Sequence, residues 1–237
     1  MNDARVLWVY LAFSSLAVVF ILLFMATAPS PAPSLLFLEK LGIAGLFVLC
    51  CIVGISLVFY PNWIRRYFRT FPNEEKNEYP QMKRSFQGHH PTCLPFQHHT
   101  IQWRKKTWCA GCLGLFMGLC VAIFFMIIFF LYNLQPTPML SYLLLLVGWV
   151  VLVLVYGETL IRSRYAIVHV ALNSLLPMSF FFITVAVGAI TGKIIYSFFT
   201  ILLCFLWLDT RIHLSKWHHR LLCTRCPEPC KMFRETG

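Results

Sequence analysis

The chain has 237 residues, of which 59% are hydrophobic and only 12% charged, and its mean hydropathy is +0.70. A soluble domain of that size cannot bury so much apolar surface, so the composition excludes a cytosolic globule and predicts an all-α, multi-pass integral membrane protein. Twenty lysines and arginines against 9 acids leave a formal charge of +11, which anionic lipid explains without invoking nucleic acid.

Uncharged runs long enough to cross about 30 Å of hydrocarbon recur along the chain. Val6–Ala28 predicts the first helix. It runs too long, and lacks the basic flank, for a cleaved leader, so a retained helix is expected. A Pro/Ser-rich turn, "APSPAPS" (28–34), leads to the second run, Leu41–Tyr60. Next comes "PNWIRRYFRTF" (61–71), where Trp63, Tyr67, Phe68 and Phe71 alternate with Arg65, Arg66 and Arg69. That mixture reads as a juxtamembrane anchor, aromatic rings at the interface and guanidinium groups on lipid phosphates. The polar "PNEEKNEYPQMKR" (72–84) reads as a loop or tether.

From Thr107 to Gly157 there is no charged residue, but the stretch from Asn133 to Pro138 breaks the run into helices three and four. Tyr165–Gly192 predicts the fifth helix and Ile194–Leu208 the sixth. Fifteen residues rise only about 22 Å. The sixth must therefore snorkel Lys193 or draw Asp209 and His213 toward the headgroups. The expected organisation is a bundle of about six transmembrane helices. Helices one and two lie within 1–60, a basic Cys/His-rich loop spans 61–108, helices three to six fill 109–210, and a Cys/His-rich tail occupies 211–237.

Charge sets the orientation. Six spans put Arg5, nine cations of the 61–107 loop, Arg162, Arg164 and six cations from Arg211 to Arg234 on one side, leaving Lys40 and Lys193 on the other. Eighteen against two predicts cytoplasmic termini and a cytoplasmic loop. Cys93, Cys109, Cys112, Cys223, Cys226 and Cys230 then face a reducing compartment, where such spacings favour metal over disulfide. Cys50, Cys51, Cys120 and Cys204 fall within spans and read as small packing residues.

Two segments concentrate metal-type ligands. The loop "HHPTCLPFQHHTIQWRKKTWCAGCLG" (89–114) carries His89, His90, Cys93, His98, His99, Cys109 and Cys112. The tail carries His213, His218, His219, Cys223, Cys226 and Cys230. A Cys-x-x-Cys turn presents two thiolates to one ion, and tetrahedral zinc needs two further donors. Two arrangements satisfy this. Each segment can close its own site: Cys93, His98 or His99, Cys109 and Cys112 in the loop, and His218 or His219 with Cys223, Cys226 and Cys230 in the tail. Alternatively Cys109, Cys112, Cys223 and Cys226 form one Cys₄ site that staples the tail to helix three. The local arrangement is the expectation, because each segment holds a full ligand set. Mixed thiolate and imidazole donors suit zinc, one or two ions; an iron–sulfur cluster is the alternative for four cysteines. Neither Cys-x-x-Cys is followed by histidine, which argues against haem attachment.

The stretch "CAGCLGLFMG" (109–118) resembles the Cys-x-Arg-Cys-x-Gly-x-x-x-Gly signature of a family of small prokaryotic multi-pass membrane proteins. Cys109, Cys112, Gly114 and Gly118 match, with Cys93 suitably placed upstream, whereas Gly111 stands where arginine is common and Leu113 where threonine is usual. The resemblance covers about 30 residues and implies a cytoplasmic metal knot on a helical bundle in a prokaryotic plasma membrane; it brings no reaction with it. Physically, Gly114 and Gly118 form a small-xxx-small face suited to close helix packing.

Ionisable groups near membrane depth are the candidates for chemistry. Glu158 ends helix four, His169 and Asn173 open helix five, Asp209 ends helix six, and all project to the cytoplasmic end. Glu158 and Arg162 are spaced to pair if the helix continues, and Pro177 predicts a bend that frees the Asn173 carbonyl. A zinc enzyme acting on a lipid-linked group would use Glu158 or Asp209 as base. Against that, the sequence has no His-Glu-x-x-His motif and no Asp-His-His-Cys centre. Transport, or metal sensing, is the third class, but the exterior halves of the spans are nearly free of ionisable groups. The expectation is a structural zinc module on a helical bundle, docking a protein partner at a membrane rich in anionic lipid.

Overall fold

The computed structural model describes residues 2–29, 34–60, 86–87, 100–103, 106–160 and 165–223. The described residues form six helices, α1 (Asn2–Ala26), α2 (Phe37–Phe59), α3 (Ala110–Leu131), α4 (Pro138–Leu160), α5 (Ala166–Thr191) and α6 (Ile194–Cys223). Among the described residues all six are long and apolar enough to cross a membrane. Among the described residues three short strands lie between α2 and α3: β1 (Phe86–Gln87), β2 (Thr100–Trp103) and β3 (Lys106–Cys109). They form one sheet in the order β1-β3-β2, so the region read from sequence as an irregular loop contains β structure.

α5 is the central helix. It packs most extensively on α3 and α4, with α2 outside α3 and the α1–α6 pair closing the remaining side. Of its most apolar 18-residue window 67% is buried, against 22% for α1 and for α2. Lipid tails supply no hydrophobic drive to bring helices together, so close approach at small residues must do it. The α3–α5 contact has that form. A Cβ placed on Gly114 would come within 3.0 Å of the Val170 carbonyl oxygen, and one on Gly118 within 3.0 Å of the Ser174 carbonyl oxygen. The small-xxx-small face expected from sequence is this contact.

Hydrogen bonds tie the ends. Gly192 closes α5 in the left-handed region at φ 61°, its N–H donating to the Gly188 carbonyl at 2.9 Å. In the α3–α4 turn Asn133 is left-handed too, at φ 47°. Its side-chain oxygen accepts a 2.6 Å bond from the Lys40 ammonium, which also donates to the Leu134 carbonyl at 3.3 Å. Lys40 is 4% exposed. The cation that the charge count sets on the side opposite the basic loop thus locks α2 to the α3–α4 turn.

α6 departs most from expectation. The span predicted over Ile194–Leu208 continues without a break to Cys223, and its membrane-competent part reaches His218. Polar side chains beyond Leu208 find partners inside the bundle, so the helix need not end there. Thr210 meets Ser14 of α1 hydroxyl to hydroxyl at 2.7 Å. The Trp207 indole donates to the Ser14 carbonyl at 3.3 Å, and the Tyr156 hydroxyl donates to the Trp207 carbonyl at 2.7 Å.

Candidate functional site

The sheet and the Cys-x-x-Cys meet at one point. β2 and β3 are antiparallel in the register Thr100↔Cys109, Ile101↔Trp108, Gln102↔Thr107 and Trp103↔Lys106, while β1 runs parallel to β3. Cys109 is the last residue of β3 and serves as the extended N-cap of α3; Cys112 lies in the first turn of that helix. A strand that turns directly into a helix presents both thiols on one short bend. Cys109 is 3% exposed and Cys112 half-buried.

The remaining expected ligands are placed unevenly. Cys93, His98, His99, Cys226 and Cys230, with His89 and His90, lie outside the described residues. His218, His219 and Cys223 all fall within α6, where His218 is half-buried. Among the described residues, no three His, Cys, Asp or Glu side chains come together as a metal-binding group.

Behind Cys109 and Cys112 the bundle holds a buried polar cluster. The Glu158 carboxylate contacts His169 Nδ1, with Glu158 6% and His169 8% exposed. Glu158 thus has an interhelical partner, from α4 to α5, in addition to any bond to Arg162, which lies outside the described residues. One turn along α5, Asn173 Nδ2 donates to the His169 carbonyl at 2.5 Å. The Asn173 side-chain oxygen is buried with no hydrogen-bond partner among the described residues. Asn173 also lines the α3 start, 3.8 Å from where a Cβ on Gly111 would stand.

Arg211 completes the cluster and was not singled out in the sequence, where it reads as the first cation of a cytosolic tail. It lies inside α6, one turn after Trp207, half-buried, its Nε sealed from solvent with no hydrogen-bond partner among the described residues. A spacing rule could not have found it, because α4 and α6 meet only in the fold.

Asp209 is separate. It lies one turn before His213, on whose ring Tyr10 of α1 stacks with ring centroids 4.1 Å apart. His213 Nδ1 lies 3.0 Å from the Asp209 carbonyl and 3.6 Å from its carboxylate. Of the four ionisable or polar candidates expected together, Glu158, His169 and Asn173 share one cluster and Asp209 belongs to another. Compared with protein-family models, with curated proteins and with solved structures, the chain matches none of them, so what it does must follow from these residues.

Proposed function

We propose that the chain is a multi-pass membrane protein whose Cys/His segments fold around zinc into a rigid cytoplasmic platform that docks a protein partner at an anionic membrane. The observation that carries this reading is the junction of β3 and α3. Thr100 is the cross-strand partner of Cys109, and His98 and His99 directly precede Thr100 in sequence. Cys109, Cys112, Cys93 and one of these histidines make a four-donor set of the kind structural zinc takes. Zinc would supply folding energy to a segment too short for an apolar core. Polar residues there hold the metal and perform no step on it.

Separate loop and tail sites are favoured over one stapled Cys₄ site because each segment carries its own full ligand set, Cys93, His98 or His99, Cys109 and Cys112 in the loop, and His218 or His219, Cys223, Cys226 and Cys230 in the tail. The eighteen-to-two division of cations supports cytoplasmic termini.

The test is elemental analysis of the detergent-purified protein, with Cys109→Ala and Cys223→Ala alongside. Two zinc ions per chain are expected, each variant losing one. A single zinc lost in both variants would establish the stapled arrangement, iron with visible colour a cluster, and absence of any metal would end the proposal.

A further inference from the structure

We propose that Cys109 and Cys112 are a dithiol–disulfide couple, closing into an intramolecular disulfide at the strand-to-helix junction on reaction with a small disulfide. The inference uses only these two described cysteines and goes beyond the metal reading. Where that reading also holds, closure and zinc compete for the same two sulfurs.

The junction brings the sulfurs within reach of each other. Cys109 ends β3 in an extended conformation, φ −70° and ψ 124°, and caps α3 without a side-chain capping bond. Cys112 is the third residue of that helix. Side chains at these two positions lean toward each other over the first turn, which is how a capping box closes its reciprocal bonds. Helical residues three apart hold their Cβ atoms about 5–6 Å from one another, and a disulfide needs about 3.5–4.5 Å. The difference is small enough for rotation at one residue to remove.

The first turn of α3 does not supply that rotation. Gly114 meets the α5 backbone at Val170, and Gly111 faces the Asn173 carboxamide, 3.8 Å from where its own Cβ would stand. Ala110 is buried. Packing against α5 thus fixes Cys112, and Cys109, at the hinge between strand and helix, is the member that turns. The next sulfur in α3 belongs to Cys120, about 12 Å further along the axis.

The two thiols differ in access, which sets the order of attack. Cys112 is half-buried and Cys109 3% exposed, so a reagent from solution meets Cys112 first. The Cys112 sulfur attacks one sulfur of the small disulfide, releasing one thiol and leaving a mixed disulfide on Cys112. The Cys109 sulfur then attacks Cys112 Sγ and expels the second thiol. One disulfide bond breaks and one forms, and the two electrons and two protons lost by the protein leave on the two released thiols. The charge count puts the junction on the cytoplasmic side, where protein disulfides are transient and serve catalysis or redox sensing.

The experiment equilibrates full-length protein in detergent with oxidised or reduced glutathione, with and without a zinc chelator. Thiols are then followed position by position through differential alkylation and peptide mass spectrometry, and zinc is measured in the same samples. Oxidised glutathione should abolish alkylation at Cys109 and Cys112 together, with the joining peptide lighter by two hydrogens, and reduced glutathione should restore both. Cys109→Ser should retain a glutathione adduct on Cys112, whereas Cys112→Ser should leave Cys109 without one. Pairing of Cys112 with any other cysteine, or no closure even with chelator, overturns the couple; zinc in that same protein leaves the platform standing. An adduct on Cys109 in Cys112→Ser, or none on Cys112 in Cys109→Ser, overturns the proposed order of attack. Closure in protein that carries no zinc upholds the couple and ends the platform, and closure that expels bound zinc upholds both. If a serine variant fails to fold, the joint loss of alkylation in the parent decides alone.

Discussion

Gly114 and Gly118 show how much one hydrogen atom decides. The α5 backbone occupies the space a methyl group would need at both positions, so Gly118→Ala must push α3 and α5 apart. Overpacking of this kind costs about 1–3 kcal/mol. We expect a lower melting temperature in detergent for Gly118→Ala, and none for Gly45→Ala, where a Cβ meets nothing within 4 Å; equal behaviour would refute the close contact. Lys40→Met tests the other end. It removes the 2.6 Å bond from Lys40 to the side-chain oxygen of Asn133, an exposed turn residue, a loss of about 1 kcal/mol for an ordinary hydrogen bond. A lower melting temperature in detergent is expected, and an unchanged one would refute the tie between α2 and the turn. The two glycines were legible in sequence because spacing alone puts them on one face. Arg211 and Lys40 were not, since a cation at a helix end looks like a headgroup ligand until its partners on other helices are known.

At the scale of elements, α6 separates hydropathy from helicity. Apolar character falls after Leu208, and the sequence therefore predicts an ending there. The helix continues past Leu208, where Thr210 and His213 meet Ser14 and Tyr10 of α1. Proline at an exposed position past the bundle checks this continuity. Lys216 is exposed, and Lys216→Pro should interrupt the last turns at a local cost of about 3 kcal/mol. Hydrogen exchange should then rise from roughly that position to Cys223 and remain unchanged before Trp207. Rapid exchange of 212–223 in the parent would show that the helix ends where the hydropathy does. The sheet was missed for a different reason. "TIQW" and "KTWC" are rich in β-branched and aromatic residues, a usable strand signal, but four-residue runs within a cationic stretch are overshadowed by the histidines and cysteines around them.

For the whole molecule, composition and charge bias are the strongest signals, and both depend on sums that tolerate local error. Six spans followed from uncharged runs and stand in the fold. Which helix is central did not follow, because α5 differs from its neighbours by buried polar groups such as Asn173, Ser179, Thr184 and Thr191, not by length. Reporter fusions at each end should place both termini on the cytoplasmic side. An exterior C-terminus would mean an odd number of crossings and would move the tail cysteines into an oxidising compartment.

The pairing of α1 with α6 has a consequence for biosynthesis. Helix α1 meets its principal neighbour α6, through Ser14 and Thr210, only after α2 to α5 have been made. Meanwhile α5 emerges when α3 and α4 already offer the groove that covers its hydroxyl and carboxamide groups. A nascent chain arrested after Thr191 should therefore hold α3, α4 and α5 together while α1 remains unattached, with the Ser14 hydroxyl still awaiting Thr210. Quality control that surveys unpartnered helices would recognise that stage by α1.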